Sequence, residues 1–285
     1  MNLINYWWFW TLLYLISAVI FAQTFKRANR NMQSPGALTI LLEIFTGIFS
    51  LLMIPVFDTK FEINLSIITT LFLVICIYAI TDRLNTEARY GLEPSTFSIV
   101  KRLSTVFMII FGFVFLKEKI ILNKILGALL IIISNIILTY DKGKIKINKY
   151  FTMAVISQFL FAIAMVINVD ISDNFNLAFY TWLTVTIPSL LIFIFERHSV
   201  KQLKEEFNLY DKKKFLISSF AWALMLNSSI RAYQLGSITV VSALLALTPM
   251  LNSLVELIIY KNKDKLMQKI IISILLIIGA ILVNI

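Results

Sequence analysis

Apolar residues in this chain come in long runs separated by short polar stretches and small groups of basic residues. A helix needs about 20 predominantly apolar residues to cross a bilayer. By that criterion the pattern predicts ten spans, at about 7–25, 36–57, 65–87, 94–116, 121–140, 150–168, 175–195, 213–233, 237–260 and 266–285. Most connections are short, so consecutive helices are expected to be antiparallel neighbours. The longest, 196–212, places Leu203, Phe207 and Tyr210 at helical spacing among Lys and Glu. That fits a short helix lying on the membrane surface as well as a solvated loop. The first span reads as a membrane span, not a signal peptide. No Lys or Arg precedes it, and it opens on Tyr6, Trp7, Trp8 and Trp10, whose rings suit the headgroup level.

Composition agrees with the pattern. The 285 residues are 59% hydrophobic, 13% aromatic and 15% charged, with a mean hydropathy of +0.85. Soluble domains are about 45–50% apolar and about 25% charged, so too little polar surface remains to coat a body in water. The same richness in aliphatic and aromatic residues excludes disorder. Eight Gly and five Pro exclude a collagen-like or low-complexity chain. The net charge of +10 sits in groups that flank the spans: Lys26 and Arg27, Lys142 to Lys149, Lys212 to Lys214, Lys261 to Lys265. That placement belongs to membrane helices and not to a nucleic-acid surface, so no nucleic-acid partner is expected.

An internal repeat organises the spans. Ala88-Arg89-Tyr90 and Gly91 precede a span ending in Phe115-Leu116-Lys117-Glu118-Lys119. Near 144 residues later, Ala232-Tyr233 and Gly236 precede a span ending in Ile259-Tyr260-Lys261-Asn262-Lys263. Ile132-Ile133-Ser134-Asn135 likewise matches Ile277-Ile278-Gly279-Ala280, and Phe21-Ala22 matches Phe161-Ala162. Two five-span halves are expected, 1–140 and 150–285. An odd number of spans per half makes the second enter the membrane from the opposite side, an arrangement found in secondary transporters. The expected fold class is all-α, polytopic, with ten transmembrane helices in two inverted repeats around a central cavity.

The small pair before a span, the Phe115-Leu116-Lys117-Glu118-Lys119 step and Gly127 in the next span resemble the EamA-type drug/metabolite transporter superfamily. The resemblance covers essentially the whole chain in two copies. It implies ten helices around a central cavity and alternating access, usually for export of metabolites or amino acids, in the cell membrane as a multi-pass protein. Its substrates range over amino acids, nucleosides, sugar phosphates and drugs.

Charged groups inside spans cost about 2.5–3.5 kcal/mol each on insertion scales, so they face a cavity or a partner. Glu43 lies about two turns into the second span, a candidate for proton coupling or ligand contact or for pairing with a basic neighbour. Glu256 near the end of the ninth span reads as a snorkelling carboxylate. Asp82, Arg83, Glu87, Arg89 and Glu93 crowd the end of the third span, where Arg83–Glu87 and Arg89–Glu93 have i,i+4 spacing. Glu87 aligns with Arg231 in the repeat, which fits a gate or an asymmetric clamp. In the fourth span, Ser95, Ser98, Thr105 and Gly112 share one stripe, flanked by Lys101 and Arg102. The expected substrate site is therefore Lys101, Arg102, Ser98, Thr105 and Arg231, with the two cations on an anionic group or structurally paired with Glu43 or Glu87. Glu43 and Glu87 are the expected coupling or gating residues. Tyr180, Trp182, Trp222 and Tyr233 are candidates for cavity lining or packing. Asn227, Ser228 and Ser229 form a polar patch, and Pro249 is expected to kink the ninth span.

No Walker loop, GxGxxG or HExxH is present. With one Cys (Cys76) and one His (His198), neither a disulfide framework nor a multi-His metal site fits within one chain. No catalytic set, metal or cofactor is expected, and the chain reads as a transporter rather than an enzyme. The expected partners are a small-molecule substrate, the lipid bilayer and a coupling proton or counter-solute, with the chain a monomer or homodimer. The leading function is a secondary transporter, exporter or exchanger, of a small metabolite such as an amino acid. Alternatives are an exchanger of phosphorylated or nucleotide-linked solutes, and a non-transporting receptor or assembly protein. Lys101 favours the exchanger; Leu245 and Ala246, where a second basic pair belongs, count against it. Alternating the loops between sides puts nineteen Lys/Arg on one side and five (Lys60, Lys117, Lys119, Lys124, Arg231) on the other. The charge bias thus places both termini outside, whereas the family resemblance implies termini inside.

Overall fold

The computed structural model describes residues 3–92, 94–101, 103–117, 121–139, 147–260 and 266–284. Among them all regular structure is helical, with one isolated bridge between Phe61 and Phe175. The first half holds α1 (Trp7–Ala28), α2 (Pro35–Leu51), α3 (Leu65–Gly91), α4 (Pro94–Lys101), α5 (Leu103–Val114) and α6 (Leu122–Thr139). The second holds α7 (Lys149–Ile171), α8 (Leu177–Phe195), α9 (Val200–Asn208), α10 (Lys212–Leu235), α11 (Ile238–Leu245), α12 (Thr248–Tyr260) and α13 (Leu266–Asn284).

Polar residues at the ends of the apolar runs start the helices. Ser34, Asn64, Asn148, Asn176, Ser199, Asp211 and Ser237 each accept a bond from a first-turn N–H of the following helix. Two spans differ from expectation. α2 stops at Leu51, short of 57, and Ile54–Val56, carrying Pro55, forms a separate 3-10 turn. The 237–260 span is divided at Ala246 and Leu247. Pro249 has no N–H for the Leu245 carbonyl four residues back, and the Thr248 hydroxyl donates to that oxygen instead at 2.7 Å. The 196–212 segment does form a helix, α9, closed by a Ser199–Gln202 capping box. Its Leu203 and Phe207 pack onto a cluster with Phe45, Tyr210 and Phe215.

Among the described residues, four helical stretches are long and apolar enough to cross a membrane by length and composition: Trp7–Phe25, Leu65–Ala88, Lys149–Asn174 and Leu177–Phe195. Large apolar side chains also cover the outside of the bundle, among them Ile16, Ile20, Phe72, Leu73, Ile110 and Ile274. Water would penalise that surface and lipid does not. This is a membrane-embedded helical protein.

The halves interleave. α1 lies along α10 and α3 along α7; α2 packs on α8 and α6 on α13; α2 also touches α10, and α3 touches α8. α4 and α5 lean on α7 as α11 and α12 lean on α1. Exchanging the two halves maps this set of pairings onto itself. The connections follow suit at opposite ends of the bundle. At one end the α2–α3 and α7–α8 links are joined by Glu62 N–H to Asn174 O (2.9 Å) and Asn176 N–H to Lys60 O (2.7 Å). At the other, the α1–α2 and α8–α10 links are joined by Asp211 N–H to Ala28 O (3.1 Å) and by Glu206, which accepts from Gln33 and Ser34.

Candidate functional site

Where α3 crosses between α2, α7 and α8, the interior of the bundle is polar. Residues 78, 82 and 86 of α3 follow one another at four-residue spacing and so share a face. Thr86 shares a hydroxyl–hydroxyl bond of 2.8 Å with Thr39 of α2. One turn along on each helix, the Asp82 carboxyl faces that of Glu43, which is 6% exposed and whose Oε2 has no hydrogen-bond donor among the described residues. A further turn along, Tyr78 donates to Met165 Sδ at 3.3 Å and accepts from the Asn168 amide of α7, whose oxygen takes a bond from Tyr180 of α8. On an adjoining face Asn85 Oδ1 accepts from Gln158 at 2.8 Å and Ser157 at 3.0 Å. Unsatisfied polar groups inside a bilayer cost several kcal/mol each. Satisfied pairs between helices contribute about 0.6–2 kcal/mol. The bonds from Tyr78 and Asn85 to α7 therefore specify how the halves meet more than how strongly they hold.

An ion-pair cluster closes one end of the seam. Arg83 pairs with Glu87 at 2.8 Å and with Glu196 just past α8, and Glu196 also meets His198 Nε2 at 3.1 Å. The i,i+4 pairing read from the sequence is present, with Glu196 as a partner from the other half. Gly36 allows this approach, because a side chain there would collide with Glu196 and His198. Below the cluster, Cys76, Ala79, Ile80, Leu191, Ile192 and Phe195 line an apolar cleft of about 390 Å³ between α3 and α8.

At the opposite end Arg231 donates to Gln234 at 3.0 Å, and Gln234 donates to Ser172 at 2.8 Å. These residues border a small polar pocket of about 80 Å³ with Asp58, Lys60 and Asp173. Glu87 and Arg231, aligned in the repeat, therefore sit at opposite ends and do not meet.

The other sequence-derived positions are placed as follows. Lys101 ends α4 with an exposed side chain, and Thr105 is buried in α5. Arg102 lies outside the described residues, as do Glu93, Glu118 and Lys119. Ser98 and Glu256 are described only as backbone positions of α4 and α12. Neither described pocket includes Lys101 or Thr105. Trp222 packs on Phe21, and Asn227 is buried among Thr181, Ser50 and the Ala223 carbonyl, so both hold helices together.

Sequence reasoning did not single out Tyr78, Asn85, Gln158 or Asn168. A signal existed: Asn and Gln within apolar spans are costly unless paired. Their partners become visible only in three dimensions.

Residues 6–140 match the EamA-like transporter family, part of the drug/metabolite transporter superfamily. No curated protein matches the chain. A solved structure described only as "Crystal structure of protein" superposes over 97% of this chain and 98% of its own, with a TM-score of 0.69 and 13% identity. That likeness shows a shared fold.

Proposed function

We propose that this chain, whose residues 6–140 match the EamA-like transporter family, is a secondary transporter that moves a small metabolite by alternating access. It has ten spans in two inverted halves, 1–140 and 150–285. The observation that carries the reading is the packing pattern, in which exchanging the halves preserves the helix pairings and puts equivalent links at opposite ends. Rocking one half against the other then opens one end as it closes the other.

The Arg83–Glu87–Glu196 cluster is the gate at one end, and Glu87 acts there as a gating residue. Its counterpart is the weaker Arg231–Gln234–Ser172 link, in which the guanidinium meets a neutral amide oxygen. Lys101 and Arg102, with Ser98 and Thr105 on the same span, take the substrate's anionic group. Arg231 meets the solute at the opposite mouth. An amino acid fits this cationic, partly apolar environment, and export follows if the basic end is cytoplasmic.

The test is flux in proteoliposomes carrying the full chain, with a panel of labelled amino acids and phosphorylated solutes. Movement of amino acids, lost in Lys101→Gln and Arg102→Gln variants of normal thermal stability, supports the reading. Movement of phosphorylated solutes alone favours the exchanger. Binding without flux makes the chain a receptor.

A further inference from the structure

Glu43 on α2 and Asp82 on α3 lie one turn along from the 2.8 Å Thr39–Thr86 hydroxyl bond on each helix, so two carboxyl groups face each other inside the bundle. Two ionised carboxylates have only acceptors and cannot bond to each other; a bond between them needs one to carry a proton. Two like charges brought together away from water do not both ionise. Glu43 is buried, its Oε2 is enclosed, and no donor reaches that oxygen among the described residues. A shared proton is what the arrangement accommodates.

The charged neighbours have other engagements. On α3, Arg83 is held by Glu87 and Glu196, and Tyr78 by Met165 and Asn168. Beyond α8, Glu196 and His198 meet each other beside Gly36, and Tyr180 of α8 is bound to Asn168. From α9, Glu206 accepts from the links at the start of α2, while Lys201 pairs loosely with Glu205 at 3.9 Å and Lys204 is exposed. On α10, Lys214 pairs with Asp211, Lys212 lies over Phe207, Lys213 is exposed, Arg231 is at the far end and Tyr233 is buried near Met108. On α7, packed against α3, Lys149 lies over Tyr150 at the basic end, and Asp170 is at the far end.

We propose that Glu43 and Asp82 form one proton-binding site beside the seam: the proton is held between them while the gated end is closed and leaves when that end opens to water. Solute movement is then linked to proton movement. The balance is simple: one carboxyl O–H breaks, the proton passes to water, and the pair goes from a net charge of −1 to −2. The coupling rests on the transport reading, whereas the proton site does not.

The experiment has two arms, both on the full chain in lipid. Infrared spectroscopy at neutral pH is expected to show a protonated-carboxyl band that shifts in heavy water and is lost in Glu43→Gln and in Asp82→Asn. Absence of the band in the unsubstituted protein overturns the site, as does a band that survives both substitutions. Sodium-dependent thermal stabilisation in place of the band would also overturn it. Because the first reading needs no variant, a misfolded substitution leaves the test intact. In the second arm, proteoliposomes are given the labelled amino-acid mixture under an imposed pH gradient. One-to-one coupling raises accumulation by up to about tenfold per pH unit, and Glu43→Gln is expected to abolish that dependence. An equal response in the variant overturns the coupling. A band without flux of any solute leaves the proton site standing and removes the transport reading instead.

Discussion

Glu206 is buried where α9 meets the start of α2, and its oxygens accept from Gln33 N–H at 2.9 Å, Ser34 N–H at 3.1 Å and the Tyr210 phenol at 2.9 Å. Burial, then the Glu206 bond and charge, push the Tyr210 phenol above its ordinary range. Truncation to Ala strands these donors, each unsatisfied buried group costing about 1–3 kcal/mol. Glu206→Ala is expected to lower the melting temperature in detergent by several degrees. Glu206→Gln should fall between Ala and the native residue, because it keeps one acceptor oxygen. Equal melting of all three would remove this anchoring role. At the same scale, Glu43, Asp82, Arg83 and Glu87 were legible in the sequence because charge inside an apolar run is conspicuous. Asn168 and Tyr78 were not, because a neutral polar side chain reveals nothing of its partner.

Helix ends were legible where a capping residue stood before an apolar run, as at Ser34, Asn148 and Asp211. The division between α11 and α12 was half legible, since Pro249 predicted a kink and the Thr248 hydroxyl decided where the chain turns. Two predictions belong to elements. Gly279 on α13 faces α6 so closely that a Cβ would come within 2.8 Å of Ile131 Cγ1 and 2.9 Å of the Gly127 carbonyl. Backbone cannot yield as a side chain can, so Gly279→Val is expected to force α6 and α13 apart at a cost of about 1–3 kcal/mol. A melting curve in detergent reads it, and an unchanged midpoint would refute the close crossing. The second concerns Arg83, which ties α3 to the segment after α8. Arg83→Gln should open the cleft below it and speed alkylation of Cys76 by a membrane-permeant maleimide at least severalfold. Cys76 is the chain's one cysteine, so no background labelling intrudes. An unchanged rate would mean the cluster is not a closure.

Seen whole, the bundle places the 52–64 and 172–176 links at one end and the 29–34 and 199–211 links at the other. Cysteines replacing Lys60 and Lys204 in a Cys76→Ser background should therefore label from opposite sides with an impermeant maleimide. Labelling of both from one side would contradict the arrangement. By the charge bias, the Lys204 side is expected to be cytoplasmic and the termini external. External protection of Lys60→Cys would instead favour termini inside, as the family resemblance implies.

Hydropathy along the chain was enough to establish a helical membrane protein, because a 20-residue apolar run has few physical fates and each is marked locally. It could not show that α1 lies on α10 and α3 on α7 rather than each half closing on itself. That choice depends on which faces fit, and in lipid no hydrophobic gradient selects among them. Nor could it bring Glu43 to Asp82 across 38 intervening positions, or Arg83 to Glu196. Those meetings are decided by tertiary packing, because hydrogen bonds and ion pairs act over a few ångströms of space whatever the separation along the chain.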